Sequence, residues 1–261
     1  MGLGVQMTIW DPQFCQAIAD RGYYVIRFDN RDIGLSTWFD DTGVSDLDEV
    51  ISGNVDAPYS LTDMAADAAG LTDSLGISSA HIVGASMGGM IAQTFAIDYP
   101  TKTRTLTSIM STTGDPAVGQ PSPEALAALT GPAPTSREEA IEYRVRMSNV
   151  IGSPGFPVDE SVIREYSASA YDRAFHPAGQ VRQLAAVLAQ PNRAQALHSV
   201  DVPTLVIHGA EDPLVNPSGG KATADAIPNA KLKIVPDMGH DVPPALYEEI
   251  VDSLEENFVR A

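Results

Sequence analysis

The feature that most constrains this chain is a G-x-S-x-G motif with Ser86 at its centre. The motif follows a short strand-like run and precedes a helical pattern, the context that a strand–turn–helix nucleophile requires. Gly84 and Gly88 leave room for a strained turn, since glycine adopts backbone conformations that side chains forbid. Such a turn would project the Ser86 hydroxyl at the carboxyl end of a sheet and aim the Met87 amide at a developing oxyanion. The alternative is a glycine-rich turn that carries an inert serine.

Short β-rich runs alternate with helical patterns along the chain, which predicts a mostly parallel sheet flanked by helices. The predicted strands cover residues 23–28, 81–83, 105–110, 203–208 and 232–235. The predicted helices cover residues 11–20, 61–75, 91–99 and 245–259. The sequence therefore indicates the α/β class.

Residues 112–198, here called the insertion, differ in character from the rest of the chain. Their first part is rich in proline, and no strand-like run interrupts the remainder. That remainder has three helical patterns, near residues 137–149, 161–174 and 180–189. We interpret the insertion as helical and as lying between two core strands, so that the core consists of residues 1–111 and 199–261.

Charge and cysteine content exclude several classes of function. The chain has 34 acidic and 16 basic residues among 261, a formal net charge of −18. This excess repels phosphate backbones and anionic lipids, so nucleic acids and membrane surfaces are not expected partners. The single cysteine, Cys15, forms no internal disulfide and cannot alone hold a structural zinc ion. We find no signal-peptide pattern and no apolar run of about 18 residues, which favours a cytoplasmic protein.

A serine hydroxyl is a weak nucleophile, so it needs a base, and the base needs an orienting acid. After an elbow of this kind the chain order is serine, acid, histidine. Asp212 follows a predicted strand, and His240 lies between the last predicted strand and the last predicted helix. Pro213 restricts Asp212 to extended geometry, which suits a side chain held in one place. We therefore predict Ser86 as nucleophile, Asp212 as acid and His240 as base.

Competing residues fit these roles less well. Glu211 is one residue from the predicted acid and points elsewhere. His208 would break the chain order, so we interpret it as a packed residue at a strand end. His81 lies at the opposite end of its strand from the elbow, and a structural role is favoured for His176 and His198. A solvated Asp-Pro turn and a surface-loop histidine remain the alternatives for the predicted acid and base.

These motifs, in this order, resemble the α/β-hydrolase fold family of serine hydrolases over nearly the whole chain. The matching stretches are GASMGG around Ser86, HGAEDPLV around Asp212 and DMGHD around His240. The stretch RGYYVIRFDNRDIGLS is similar to the strand and loop that follow the family's first helix. Within this loop Asp32 stands where glycine is common in the family, a version of the loop that resembles the aclacinomycin-type methylesterases. General carboxylesterases are similar, and SMGG also resembles cofactor-free haloperoxidases. Haloalkane dehalogenases have an aspartate where this chain has Ser86.

The first residues, MGLGVQMTIW, resemble the family's oxyanion loop, commonly written His-Gly-x. Met1 stands at the histidine position and Gly2 matches the glycine, so the resemblance implies that the Leu3 amide is the second oxyanion donor. Family members have two or three strands before this loop, one of them in the middle of the sheet. We expect these strands to be missing, which would separate the predicted strand 23–28 from 81–83 and leave edges unpaired. Our hypothesis is a truncated start.

The resemblance implies a serine hydrolase that cleaves carboxylic esters through an acyl-enzyme intermediate, with no metal or organic cofactor. The insertion resembles the family's cap, whose side chains either line the pocket or form the cap's own core; the candidates are Tyr143, Met147, Tyr166, Tyr171 and Phe175. The expected partner is a small-molecule ester, and a homodimer stays open. The alternatives are a perhydrolase or haloperoxidase-like enzyme and a non-catalytic binding protein of the same fold.

Overall fold

The computed structural model describes residues 1–43, 47–53 and 57–261. Its elements are, in chain order, α1 (Pro12–Ala19), α2 (Leu47–Ile51), α3 (Leu61–Ser74), β1 (Ala80–Ala85), α4 (Met87–Asp98), β2 (Thr103–Ile109), α5 (Pro123–Leu129), α6 (Arg137–Ile151), α7 (Glu160–Arg173), α8 (Pro177–Leu188), α9 (Ala194–Leu197), β3 (Thr204–Gly209), α10 (Ser218–Ala226), β4 (Lys231–Val235) and α11 (Tyr247–Phe258). Within the described residues, every helix is too short or too polar to cross a membrane.

The described strands form one parallel sheet in the order β1-β2-β3-β4. Leu106 of β2 pairs with Ile82 of β1 on one side and with Thr204 of β3 on the other. Because all four strands run in the same direction, their carboxyl ends meet at one edge of the sheet, where open α/β sheets bind ligands. The predicted parallel sheet flanked by helices is confirmed.

Helices cover both faces of the sheet. On one face Phe14 of α1 packs with Ile207 of β3 and Ile250 of α11. On the other face Ala92 of α4 packs with Leu106 of β2. Side chains alternate between faces along a strand, so a central strand covered on both sides buries every residue. The strand β3 shows this, since all of its residues are buried.

Local capping determines where several helices begin. The Asp11 side chain accepts a hydrogen bond from the backbone of Gln13 at the start of α1. Ser60 and Asp63 form a capping box at the start of α3, each side chain bonding the other's backbone N–H. These contacts satisfy N–H groups that have no acceptor within the helix. The predicted helices at residues 11–20 and 61–75 therefore begin close to where the sequence places them.

The prediction of a strand at residues 23–28 is wrong. The segment forms no ladder with any described strand, and a cavity of about 550 Å³ is lined by both this segment and β1. Strands bond only when they lie about 4.8 Å apart, so an apolar, β-branched segment without a neighbour at that distance makes no strand. The expected separation of this segment from the strand before the elbow is present.

The insertion carries α5 to α9 between β2 and β3. Its three predicted helical patterns correspond to α6, α7 and α8, and α6 packs against α7. The helix α5 was not predicted, because its proline-rich surroundings resemble a loop. Pro123 is nevertheless the first residue of α5, where its missing N–H costs nothing, and Ser122 caps the helix by accepting from the backbone of Ala125.

Candidate active site

The predicted nucleophile, acid and base lie in turns and loops at the carboxyl edge of the sheet. Ser86 directly follows β1, Asp212 follows β3 and His240 follows β4. The neighbouring strands β3 and β4 bring the last two loops together although they are far apart in sequence. The fold thus places the three side chains that the motifs single out at one position.

The elbow around Ser86 explains both glycines of the motif. Ser86 has φ 56° and ψ −124°, a conformation that few residues other than glycine adopt. A Cβ atom at position 84 would lie 1.9 Å from the carbonyl oxygen of Gly88, and one at position 88 would lie 2.6 Å from the carbonyl oxygen of Met1. Neither position therefore accepts a side chain. The backbone turns sharply enough to leave the hydroxyl partly exposed.

A continuous hydrogen-bonded line joins the three side chains. The Ser86 Oγ atom lies 3.0 Å from Nε2 of His240, and Nδ1 of His240 lies 2.7 Å from Oδ2 of Asp212. Because a carboxylate only accepts, the imidazole proton belongs on Nδ1, which leaves Nε2 as an acceptor facing the hydroxyl. The Ser86 hydroxyl therefore donates to His240.

The Asp212 carboxylate is buried and fully bonded. Its Oδ1 atom accepts hydrogen bonds from the backbone N–H groups of Leu214 and Val215, both at 2.9 Å. Burial alone would raise the pKa of Asp212, but the electrostatic interaction with His240 and hydrogen bonds from His208, His240 and the backbone hold this pKa well below its ordinary value. The acid is therefore ionised across the physiological range.

His208, interpreted from the sequence as a packed strand-end residue, is fully buried and contacts the predicted acid. Its Nε2 atom lies 2.7 Å from the carbonyl oxygen of Val215 and 3.3 Å from Oδ2 of Asp212. Both neighbours are acceptors, so Nε2 carries the proton. Its Nδ1 atom has no partner in the described part of the chain. No sequence pattern predicts this contact, because it depends on how the loop after β3 turns back.

The loop that carries His240 is tied to the end of α6. The His240 N–H donates to the carbonyl oxygen of Ile151 at 2.7 Å, and the Gly239 N–H donates to Oγ of Ser153 at 2.9 Å. The Ser153 hydroxyl also contacts the Asp241 carboxylate. Burial raises the pKa of Asp241, and the bond from Ser153 opposes that rise. The insertion therefore helps to determine where the imidazole lies.

The first residues of the chain pass over the elbow. A Cβ atom added at Gly2 would lie 3.5 Å from Cβ of Ser86, and the Leu3 side chain packs against the cluster that contains Met87. Met87 is the first residue of α4, so its N–H has no acceptor within the helix. Both backbone segments predicted to supply oxyanion donors thus adjoin Ser86.

A cavity of about 120 Å³ lies between the insertion and the first residues of the chain. Leu3 and Gly4 belong to its lining, whereas Ser86 does not. Of the aromatic candidates from the insertion, the three that line this cavity are Tyr143, Tyr171 and Phe175. Met147 is buried outside the lining, and Tyr166 also lies outside it. The insertion therefore supplies both cavity walls and a core of its own.

The arrangement has the parts of a base-activated nucleophile. A hydroxyl faces a neutral imidazole nitrogen, the other imidazole nitrogen is held by a buried carboxylate, and backbone N–H groups adjoin the hydroxyl. Such a set supports attack on a carbonyl carbon and stabilisation of the resulting oxyanion. Within residues 1–43, 47–53 and 57–261, no group of three histidine, cysteine or carboxylate side chains is arranged to hold a metal ion.

Comparison with known proteins matches residues 2–243 to the family described as alpha/beta hydrolase fold. The chain is 29% identical to the rhodomycin D methylesterase DauP of Streptomyces sp. (strain C5), over 94% of this chain and 84% of that protein. It is 32% identical to a 2-hydroxy-6-oxononadienedioate/2-hydroxy-6-oxononatrienedioate hydrolase of Burkholderia vietnamiensis (strain G4 / LMG 22486), over 66% of this chain and 59% of that protein.

Solved structures share the fold at low sequence identity. The meta-cleavage product hydrolase CumD from Pseudomonas fluorescens IP01 matches with a TM-score of 0.72 and 21% identity, covering 99% of this chain and 87% of that chain. The esterase RhEst1 from Rhodococcus sp. ECU1013 matches with a TM-score of 0.71 and 20% identity, covering 99% of this chain and 88% of that chain. These likenesses concern the arrangement of the backbone.

Proposed function

Because the chain belongs to the α/β-hydrolase fold family, we propose that it is a serine hydrolase that cleaves carboxylic esters through an acyl-enzyme intermediate. The observation that carries this proposal is the hydrogen-bonded line from Ser86 through His240 to Asp212, with steps of 3.0 Å and 2.7 Å. The similarity to a rhodomycin D methylesterase, a protein named for ester cleavage, supports the choice of an ester as substrate.

In the first half of the proposed reaction, the Ser86 oxygen attacks the acyl carbon of the ester. His240 Nε2 takes the hydroxyl proton as the new C–O bond forms, and Asp212 stabilises the imidazolium that results. The imidazolium then returns this proton to the leaving alcohol as the ester C–O bond breaks. The product of this half is an acyl group bound to Ser86.

The developing negative charge on the carbonyl oxygen needs hydrogen-bond donors that are already in place. We assign this role to the N–H groups of Met87 and Leu3, which adjoin Ser86 and lie in a partly buried site where such bonds are strong. In the second half, His240 takes a proton from water, and the resulting hydroxide attacks the acyl carbon. The imidazolium then returns this proton to the Ser86 oxygen as the C–O bond between the acyl group and Ser86 breaks, so the carboxylic acid leaves and the hydroxyl is restored.

The insertion, residues 112–198, is proposed to roof the pocket over a core made of residues 1–111 and 199–261. The helices and loops of the insertion together supply most of the lining of the 120 Å³ cavity, and this lining is largely apolar. Among the described lining residues, Arg144 and His176 are the only basic side chains, and no lining residue has a carboxylate. The pocket is therefore suited to an apolar group of the ester and does not favour a cationic one.

A second candidate is hydrolysis of an oxo-dienoate, because relatives named as 2-hydroxy-6-oxononadienedioate/2-hydroxy-6-oxononatrienedioate hydrolases match the chain at 31% to 32% identity. This reaction would use the same serine and histidine on a ketone carbonyl. An assay with a substrate of that class beside a simple ester separates the two candidates by their kcat/KM values.

The proposed function is tested with p-nitrophenyl acetate on the wild type, Ser86→Ala and a matched control, Ser74→Ala. Ser74 lies exposed at the end of α3, and its hydroxyl donates to the Gly70 carbonyl oxygen within the same helix. We expect Ser86→Ala to lower kcat by about 10⁴-fold or more and Ser74→Ala to leave it unchanged. Turnover that survives Ser86→Ala would contradict the mechanism. A folded wild type that cleaves no ester would contradict the function and favour a non-catalytic protein of the same fold.

A further inference from the structure

The Gly4 backbone is bonded on both sides by side chains of the insertion. Its N–H donates to Oε1 of Gln183 in α8 at 3.0 Å, and its carbonyl oxygen accepts from Nη2 of Arg144 in α6 at 2.9 Å. Gly4 directly follows Leu3, the residue whose amide is assigned to the oxyanion. Two helices that are distant in sequence therefore hold the peptide next to that donor.

Gln183 has no freedom to release this contact. Its side chain is fully buried, and while its Oε1 atom accepts from Gly4, its Nε2 atom donates to the carbonyl oxygen of Arg31 at 2.8 Å. Rotation of the amide would place oxygen against oxygen at one end and nitrogen against nitrogen at the other. The side chain is a fixed bridge between the loop before α2 and the first residues of the chain.

The close approach of α8 also explains the glycine at position 4. Gly4 has φ +65°, and a Cβ atom there would lie 2.7 Å from Cδ of Gln180. A side chain is excluded both by the backbone conformation and by the neighbouring helix. The peptide is thus shaped to fit beneath α8.

The residues on either side extend the same restraint. The Met1 carbonyl oxygen accepts from Nδ2 of Asn30 at 3.2 Å. Further along, the Gln6 side chain donates to the carbonyl oxygens of Ala170 and Ala174 and accepts from Arg173 at 2.6 Å, all at the end of α7. Leu3 is therefore bracketed by bonds that come largely from the insertion.

We infer that Gln183 and Arg144 are positioning residues that hold the Leu3 amide in its oxyanion-binding place, an inference that rests on the proposed ester hydrolysis. Preorganised donors stabilise a transition state only when they need not reorganise during the reaction. The insertion then does more than cover the pocket, because any movement of α8 away from Gly4 disassembles half of the oxyanion site.

The test compares kcat and KM for p-nitrophenyl acetate in the wild type, Gln183→Met, Arg144→Met and Arg144→Lys. Methionine matches glutamine in length, but its sulfur is only a weak acceptor and it has no donor, whereas lysine retains a donor for the Gly4 carbonyl oxygen. We expect Gln183→Met and Arg144→Met to lower kcat by roughly 10- to 100-fold with KM changed less than about threefold, since the donor is displaced and not removed. Arg144→Lys is expected to recover most of the loss.

The matched control is Arg137→Met, which breaks a two-pronged ion pair with Asp172 between α6 and α7 and touches no residue of the oxyanion segment. Amide hydrogen exchange supplies an independent readout, and we expect the Gly4 N–H to lose protection in Gln183→Met alone. A fall of kcat in Arg137→Met as large as that in Gln183→Met would overturn the inference. So would a kcat that stays unchanged in both Gln183→Met and Arg144→Met. An inactive wild type would instead contradict the proposed function. If Gln183→Met fails to fold, the comparison of Arg144→Met with Arg144→Lys tests the inference, because Arg144 is only partly buried.

Discussion

The Nε2 atom of His208 lies 3.3 Å from Oδ2 of Asp212, the same carboxylate oxygen that Nδ1 of His240 contacts at 2.7 Å. The same nitrogen of His208 also donates to the carbonyl oxygen of Val215. Together, these two contacts tie the loop after β3 to the end of that strand. His208 thus fixes the acid from the side of β3. We therefore expect His208 to position the proposed acid without taking part in proton transfer.

We expect His208→Leu to lower kcat by roughly tenfold with little change in KM, because Asp212 loses one hydrogen bond to its charged form and the loop loosens. His208→Gln keeps an N–H donor and should lose less activity. Steady-state kinetics on both variants, with thermal unfolding to verify folding, checks the expectation. Equal kcat in His208→Leu and the wild type would show that the contact has no positioning role.

The elbow glycines give a stability prediction with an internal control. Gly84→Ala should destabilise the fold by more than about 3 kcal/mol, because the new Cβ atom would lie 1.9 Å from a backbone carbonyl that cannot move freely. Gly70→Ala, inside α3 and facing open space, should stabilise the fold by about 0.5 to 1 kcal/mol. Urea unfolding measures both, and a Gly84→Ala protein as stable as the wild type would contradict the described elbow.

His81 predicts how stability changes with pH. Burial lowers the pKa of His81 from 6.5 to about 4 in the folded protein, with a further contribution from Arg104. Between these values the unfolded chain binds a proton that the folded protein does not, so stability falls as the pH drops from about 6.5 to 4. Because His81 is only partly buried and solvent screens its charge, the loss attributable to it is roughly 1 to 2 kcal/mol. His81→Gln should flatten this part of the pH profile of the unfolding free energy, and an unchanged slope would show that other groups cause it.

The ion pair between Arg182 and Asp32 joins the insertion to the core. Both side chains are buried, and the guanidinium contacts the carboxylate through two bonds of 2.8 Å. Arg182→Met should destabilise the fold by about 3 to 5 kcal/mol, because it leaves a buried carboxylate unpaired. The double variant Arg182→Met/Asp32→Asn should recover part of that loss. Urea unfolding of this variant and of the single variants Arg182→Met and Asp32→Asn measures the recovery. Additive effects of the two changes would contradict a direct pairing.

Much of the fold followed from local patterns. The apolar periodicity of residues 61–75 and the stop at Gly76 correspond to α3, and the strand-like runs near residues 105–110, 203–208 and 232–235 correspond to β2, β3 and β4. The segment 23–28 has the same strand-like composition, yet it is not a strand. Composition reports whether side chains suit a sheet, whereas a strand exists only where a neighbouring backbone lies within bonding distance.

The candidate site divides in the same way. Ser86, Asp212 and His240 could be predicted because each occurs in a short motif whose order along the chain is constrained. The contacts of His208 and Gln183 could not, because their partners lie on other loops and helices and no spacing rule connects them. They became visible only once β3 and α8 were placed.

By itself, the sequence determined the class of the fold and singled out the three side chains proposed to react, because both depend on local chemistry: apolar periodicity, glycines where no side chain fits, and residue types able to exchange protons. The tertiary structure alone decided what holds those side chains in place. Packing brings Gln183 and Arg144 onto Gly4 and the end of α6 onto the His240 loop, since long-range hydrogen bonds arise from the path of the whole chain and not from any one segment.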